Sequence, residues 1–225
     1  MQKIVSLSLV LLLSLLSLNS CSTSTIVDKP ITFDETRRQL SLDYMKTRYG
    51  LERTEPLIDP QMIVVHWTAI PSFEKSFEAF EPSILPNTRP DINQAGSLNV
   101  SAHFLIDRDG TIYRLLPETT MARHVIGLNH CAIGIENVGG TEETPLTAEQ
   151  LKANITLVRT LKKKYPKIDY LIGHYEYTNF EDHPLWLEKD DGYRTEKTDP
   201  GIEFINEIRA STAKYNWKPV PQKSN

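Results

Sequence analysis

Cysteine is scarce: Cys21 and Cys131 are the only two in 225 residues, so the chain is not a disulfide-stapled scaffold. An excess of positive charge is also missing. Lys and Arg number 25 against 29 Asp and Glu, for a formal net charge of −4, and this balance excludes the basic profile of a typical nucleic-acid binder. There is no internal repeat and no low-complexity tract, which excludes solenoids and biased tails. Beyond the first twenty residues no long hydrophobic run occurs. What remains, 40% hydrophobic and 24% charged residues, is the composition of a soluble globular domain of ordinary size with a real core.

The first twenty residues differ. Lys3 precedes IVSLSLVLLLSLLSL and then NSC, the charged and apolar regions of a secretory signal, too short to read as a spanning helix. Leu18-Asn19-Ser20-Cys21 resembles a bacterial lipobox, with an aliphatic residue three positions before the cysteine and a small one directly before it. Residues 1–20 are therefore expected to be a lipoprotein signal peptide and Cys21 the lipidation site. The alternative is plain secretion with Cys21 an ordinary residue. Ser22, where an aspartate would follow the cysteine in inner-membrane proteins, favours the outer membrane by resemblance to enterobacterial lipoproteins. The expected location is the cell envelope, anchored by lipid to the outer membrane and facing the periplasm. Cys131 is then left alone at the head of the apolar run CAIGIENV, where burial is expected. A nucleophilic pair with His130 is disfavoured, because neighbours along a strand point to opposite faces.

Residues 21–33 read as a tether, 34–60 as a helix plus connection, 61–214 as the principal domain and 215–225 as a tail. Helical pattern runs from Asp34 to Tyr49, expected on the outside of the domain. Residues 61–67 predict a buried strand. Pro71 to Asn99 is mostly loop with a helical turn near 72–80, and loops of this length are often functional. SAHFLIDRDGTIYRLLP predicts two strands around Asp-Arg-Asp-Gly, and CAIGIENV a further one. TPLTAEQLKANITLVRTLKKKYP is the clearest helix, with Thr147 and Gln150 forming a capping box and Leu151, Ile155, Val158 and Leu161 on one face. DYLIGH is a short strand. Asp-Pro-Gly at 199–201 opens a last helix running to about residue 214, with Pro200 at its permitted first position. Strands interleaved with helices predict an α/β fold: a mixed central β-sheet flanked by helices, in a single domain.

Two of these strands end on histidine, IVVHW at His66 and YLIGHY at His174. Strand ends hold side chains rigidly toward clefts, and neutral imidazoles suit zinc, whose catalytic sites usually take three protein ligands and leave one position open. Asp199 is a third candidate, with helix N-cap as its simpler role. No His-x-x-x-His spacing links the three, so spacing alone does not establish a cluster.

The ordered set VVHWTA, SAHFLIDRDGTIYRLLP, HVIGLNHCAIGIENVG, LIGH and KTDPG resembles the zinc-dependent type 2 N-acetylmuramoyl-L-alanine amidases, which include phage lysozyme-type amidases and peptidoglycan recognition proteins. The resemblance covers about residues 60 to 212. It implies that His66, His174 and Asp199 hold one Zn2+ ion, that Glu136 in IGIEN and Lys197 are catalytic, and that residues 61–214 form a zinc amidase catalytic domain. By the same resemblance His124 and Asn129 contact substrate, a peptidoglycan stem or muropeptide, which is cut between the lactyl group of N-acetylmuramic acid and L-alanine in cell-wall turnover or recycling. Peptidoglycan and a lipid-mediated membrane contact are the expected partners; nucleic acid is not, and no protein partner is implied. The alternative function is a noncatalytic muropeptide-binding lipoprotein. Of the other histidines, His103 is expected in packing or behind the site and His130 on the surface. His183 lies in a long insert between His174 and Asp199 that reads as a loop over the cleft, with Trp186 and Tyr193 as packing anchors. An arginine that some relatives place near Gly127 to grip a stem-peptide carboxylate is not matched here, and a C-terminal wall-binding domain is not expected, since residues after about 214 read as a tail.

Overall fold

In the computed structural model, residues 26–86 and 90–222 are described. The expected signal peptide and Cys21 lie outside them. Six strands form one sheet in the order β1-β4-β3-β5-β2-β6: β1 Ile26–Asp28, β2 Met62–Val65, β3 Phe104–Ile106, β4 Ile112–Arg114, β5 Ala132–Asn137 and β6 Tyr170–Gly173. Only β3 and β4 run antiparallel, as the Asp-Arg-Asp-Gly turn predicts; the remaining pairs are parallel. Central parallel strands are covered on both faces and so read as unbroken apolar runs. MIVV of β2 is that kind of strand, with all four residues buried.

One face of the sheet carries Ile63, Val65, Ile133 and Ile135 against Leu157, Val158 and Leu161 of α4 (Ala148–Lys164) and Ile205 and Ile208 of α5 (Ile202–Ser211). The capping box at Thr147 and Gln150 is present. Gln150 also turns its side-chain amide inward to the carbonyls of Val138 and Ile106, satisfying strand-end acceptors that burial would otherwise leave costly. The opposite face carries Met62, Val64, Ala132, Tyr170 and Ile172 against α1 (Glu35–Tyr49) and the segment around Leu185 to Tyr193. Two short helices, α2 (Phe73–Phe80) and α3 (Pro90–Asn93), lie within the stretch expected to be mostly loop.

Four expectations need correction. The first strand lies in the presumed tether, where Ile26–Asp28 pairs with β4 and Ile31 is buried. Helix α1 is no surface appendage: Asp34 caps it, and it sends Tyr44, Met45 and Tyr49 into the core. His130 is half-buried rather than fully at the surface: it packs edge-on against Tyr49, and burial lowers its imidazole to about 4. The last helix starts at Ile202, preceded by Gly201 in a left-handed-side conformation (φ 85°) that excludes Pro200 from the first turn.

Candidate metal centre

Strand periodicity builds the site. Side chains alternate between faces, so His66 continues the face of Met62 and Val64, Glu136 that of Ala132 and Gly134, and His174 that of Tyr170 and Ile172. The registers Val65 with Ile135 and Val65 with Gly173 set the three strand ends side by side. His66 remains in the ladder beyond β2, its N–H donating to Ile135 O at 2.8 Å and its carbonyl accepting from Asn137 N at 3.1 Å. Buried amides support that carbonyl further: Asn137 Nδ2 donates to it at 2.9 Å, and Asn154 Nδ2 of α4 donates to Asn137 Oδ1 at 2.7 Å. These carboxyl ends of parallel strands are where open α/β sheets place their ligands.

Asp199 arrives from the other side. Its backbone carbonyl accepts from Tyr175 N at 3.1 Å, next to His174. With the helix starting after Gly201, the carboxylate caps nothing and turns to the histidines. Its Oδ2 lies 3.2 Å from His66 Nδ1 and 3.0 Å from His174 Nδ1, and one ligand atom from each residue falls within 4.8 Å of the others. Burial lowers His174 to about 4, helped by His66 beside it and opposed by Asp199, so at neutral pH its ring is an uncharged ligand. Burial alone would raise the Asp199 carboxyl, but the facing imidazoles of His174 and His66 hold it well below the usual carboxylate range. Two imidazoles and an ionised carboxylate form a donor set that suits zinc. Bonds of about 2.0–2.1 Å in a tetrahedron put ligand atoms about 3.3 Å apart, close to the two separations that Asp199 makes.

The cluster floors a cleft of about 420 Å³. Glu136, 9% exposed, and half-buried Lys197 both line it. Trp67 forms part of the rim, its ring so close over Gly140 that a Cβ there would lie 2.3 Å from the indole. Tyr193 and Thr195 of the insert also line it, contributions that no motif signals. Tyr193 is held by Arg123, whose Nη2 donates to its hydroxyl at 3.1 Å, and by the Arg48 guanidinium 4.6 Å over its ring. Arg48 also pairs with Glu188 at 2.8 Å and Asp190 at 3.3 Å, so α1 fastens the insert. Trp186 packs on Gly127, where a Cβ would lie 2.5 Å from its ring.

Asn129, His124 and Thr68 also line this cleft. Asn129 is 1% exposed with its amide committed: Oδ1 accepts from His124 N and Val125 N, and Nδ2 donates to Tyr49 OH. His124 lines the cleft with its ring against His66. His103 lies behind it, lowered to about 4 by burial. His183 sits away from the cluster, 3.0 Å from the Tyr170 hydroxyl and packed on Phe180. Thr68 is structural, hydrogen-bonded to Ile70 and Ser76. Cys131 is fully buried and pushed up to about 12 by desolvation, which makes it inert.

Residues 56–202 match the family Amidase_2, described as N-acetylmuramoyl-L-alanine amidase. Among curated proteins, the chain is similar to the 1,6-anhydro-N-acetylmuramyl-L-alanine amidase AmpD of Salmonella typhimurium, 32% identical over 158 residues that span 64% of this chain and 76% of that one. AmpD of Haemophilus influenzae is 31% identical over 130 residues, 52% of this chain and 70% of that one. A crystal structure of a selenomethionine derivative of AmpD shares the fold, with a TM-score of 0.52 at 24% identity over 83% of this chain and 93% of that one.

Proposed function

The chain belongs to the N-acetylmuramoyl-L-alanine amidase family, and on that premise we propose that a single zinc ion held by His66, His174 and Asp199 serves its reaction, with Glu136 and Lys197 as catalytic residues. The reaction itself is hydrolysis of the amide between the lactyl group of N-acetylmuramic acid and L-alanine, in cell-wall recycling. The observation that carries the assignment of residues is the convergence of two imidazole nitrogens on one ionised carboxylate oxygen at the floor of the cleft. Zinc bound there supplies Lewis-acid polarisation of the scissile carbonyl and a lowered pKa for the attacking water.

The protein's own groups do the rest. Glu136, fixed at the end of β5 beside His66, takes the proton of the attacking water and returns it to the departing amide nitrogen. Lys197, two residues before Asp199, brings a positive charge to the developing oxyanion. Trp67 and Tyr193, which both line the cleft, hold the sugar and peptide portions in place. Muropeptides of the 1,6-anhydro class, on which the curated relatives act by name, are the substrates proposed here.

Mass spectrometry of defined muropeptides after incubation tests this. Free stem peptide plus disaccharide, lost on chelation and restored by zinc, is the expected result. Intact muropeptide that stays bound to the protein would replace the enzyme by a binding protein, and fragments cut within the stem would assign a different bond.

We further propose that residues 1–20 are a signal peptide and that Cys21 carries lipid, holding residues 61–214 as the catalytic domain at the outer membrane on the periplasmic side. The supporting feature is Leu18-Asn19-Ser20-Cys21 followed by Ser22. Among the described residues no helix is long and apolar enough to cross a membrane. Cys21→Ser is expected to move the protein from the membrane fraction to the soluble fraction on cell fractionation; a variant that stays with the membrane would dispose of the lipid anchor.

A further inference from the structure

His124 has neither ring nitrogen to offer a substrate, although its ring lines the cleft. Its Nε2 lies 3.2 Å from the carbonyl oxygen of Ala132, which can only accept, so Nε2 carries a proton. In the neutral ring Nδ1 then has a lone pair, and this nitrogen is 3.0 Å from His66 Nε2. A hydrogen bond there requires His66 to donate from Nε2. Nδ1 of His66 is thereby left as a lone pair, and it is this nitrogen that faces Asp199 Oδ2 at 3.2 Å. Two acceptors facing each other at that distance are satisfied by a cation between them.

We propose that His124 is a positioning residue of the metal centre: by accepting from His66 Nε2–H it selects the tautomer, and holds the ring orientation, that presents His66 Nδ1 to zinc. The inference rests on the zinc reading given above. Carbonyl and carboxylate partners commonly orient metal-bound histidines in this way; here a second imidazole does so, itself oriented by a backbone carbonyl.

The surroundings are shaped to that ring. A Cβ on Gly134 would lie 2.7 to 2.9 Å from three of its atoms, so His124 lies over the sheet only because residue 134 has no side chain. The backbone carrying the ring is pinned by the two bonds to Asn129 Oδ1, both 2.8 Å. Behind it, His103 stands edge-on with ring centroids 5.8 Å apart, held by Gly134 N–H on Nδ1 and by Thr120 O at Nε2.

The test compares zinc dissociation constants, by competition with a chromophoric chelator, and the visible spectrum of the Co2+-loaded protein, using the full mature chain. His124→Leu removes the acceptor. His66 is then free to carry its proton on Nδ1, where Asp199 accepts it in competition with the metal. Zinc affinity is expected to fall about 10–100-fold, with an altered Co2+ spectrum. His124→Asn places a carbonyl oxygen near the Nδ1 position and is expected to restore most of the affinity. Gly134→Ala leaves every donor and acceptor in place but displaces the ring, and is also expected to weaken zinc. Wild-type zinc affinity in His124→Leu together with a raised KM would overturn the inference in favour of substrate contact. Equal losses in the Leu and Asn variants would overturn it in favour of packing. Should His124→Leu fail to fold, unchanged zinc affinity in Gly134→Ala has the same force. A wild-type protein that does not bind zinc removes the metal reading itself, and this inference with it.

Discussion

With Glu136 replaced by glutamine, kcat is expected to fall about 10²–10⁴-fold while zinc affinity and KM stay near wild type. The substitution preserves shape and hydrogen-bonding reach but removes the ability to take a proton. The side chain sits at the end of β5, on the face it shares with His66, and lines the cleft at 9% exposure. It is not in the cluster that gathers around Asp199, which is why metal binding should be indifferent to the change. A loss confined to kcat marks a group whose contribution arises only in the transition state. Steady-state kinetics on a soluble muropeptide, paired with a zinc titration, separates the two quantities. Turnover within a few-fold of wild type would remove Glu136 from the role of base; a parallel loss of zinc would place it among the ligands instead.

Asp199→Ala should have the second large effect, on the metal rather than on proton transfer. Its carboxylate is the one group that reaches both His66 and His174, at 3.2 and 3.0 Å, and the only negative charge in the donor set. Without it two imidazole nitrogens remain, short of the three protein ligands typical of catalytic zinc. Affinity is expected to drop beyond the 10–100-fold typical of losing a partner behind a ligand, roughly 10²-fold or more, and activity at micromolar zinc to vanish. Zinc binding to the folded state raises the melting temperature by mass action, so thermal scans with and without zinc provide the check. Wild type is expected to show a zinc-dependent rise and the variant none, while the two chelated proteins melt alike. A variant that retains the rise would show that Asp199 is dispensable for the metal.

The two strand-end histidines were legible in the sequence because strand ends are local signals, whereas their grouping with Asp199 and the roles of Glu136 and Lys197 came from the resemblance of the ordered motifs to the type 2 amidases. IVVH and YLIGH each place a histidine directly after an apolar run, and IGIEN alternates so that Glu136 leaves the sheet on the same side. Asp199 was ambiguous for a physical reason. Asp-Pro-Gly is also a good helix start, and only Gly201, with its positive φ, delays the helix enough to free the carboxylate. The first strand went unseen because three residues at a sheet edge have no periodicity to detect, and their partner Ile112–Arg114 lies far along the chain. The partial burial of His130 was hidden likewise, since it depends on Tyr49 of a distant helix. The link between His124 and His66 spans 58 positions and depends on the pairing of β2 with β5 together with the loop that lays the His124 ring over Gly134. Asn129 lines the cleft, and its amide bonds the N–H groups of His124 and Val125 and the Tyr49 hydroxyl.

The clasp between Arg48 and the pair Glu188 and Asp190 bears on how such a protein can be re-engineered. The stretch from 181 to 194 is not a free-standing module, because the cation that pairs with Glu188 and Asp190 and stacks on Tyr193 comes from a helix nearly a hundred and fifty residues earlier. Grafting that stretch alone into a compact homologue would transplant half of a two-part fitting: two acidic side chains without their cation, and an aromatic wall with nothing behind it. A productive chimera has to carry residues 34–49 together with the insert, so that the unit of exchange is a pair of segments far apart in the gene and adjacent in the fold.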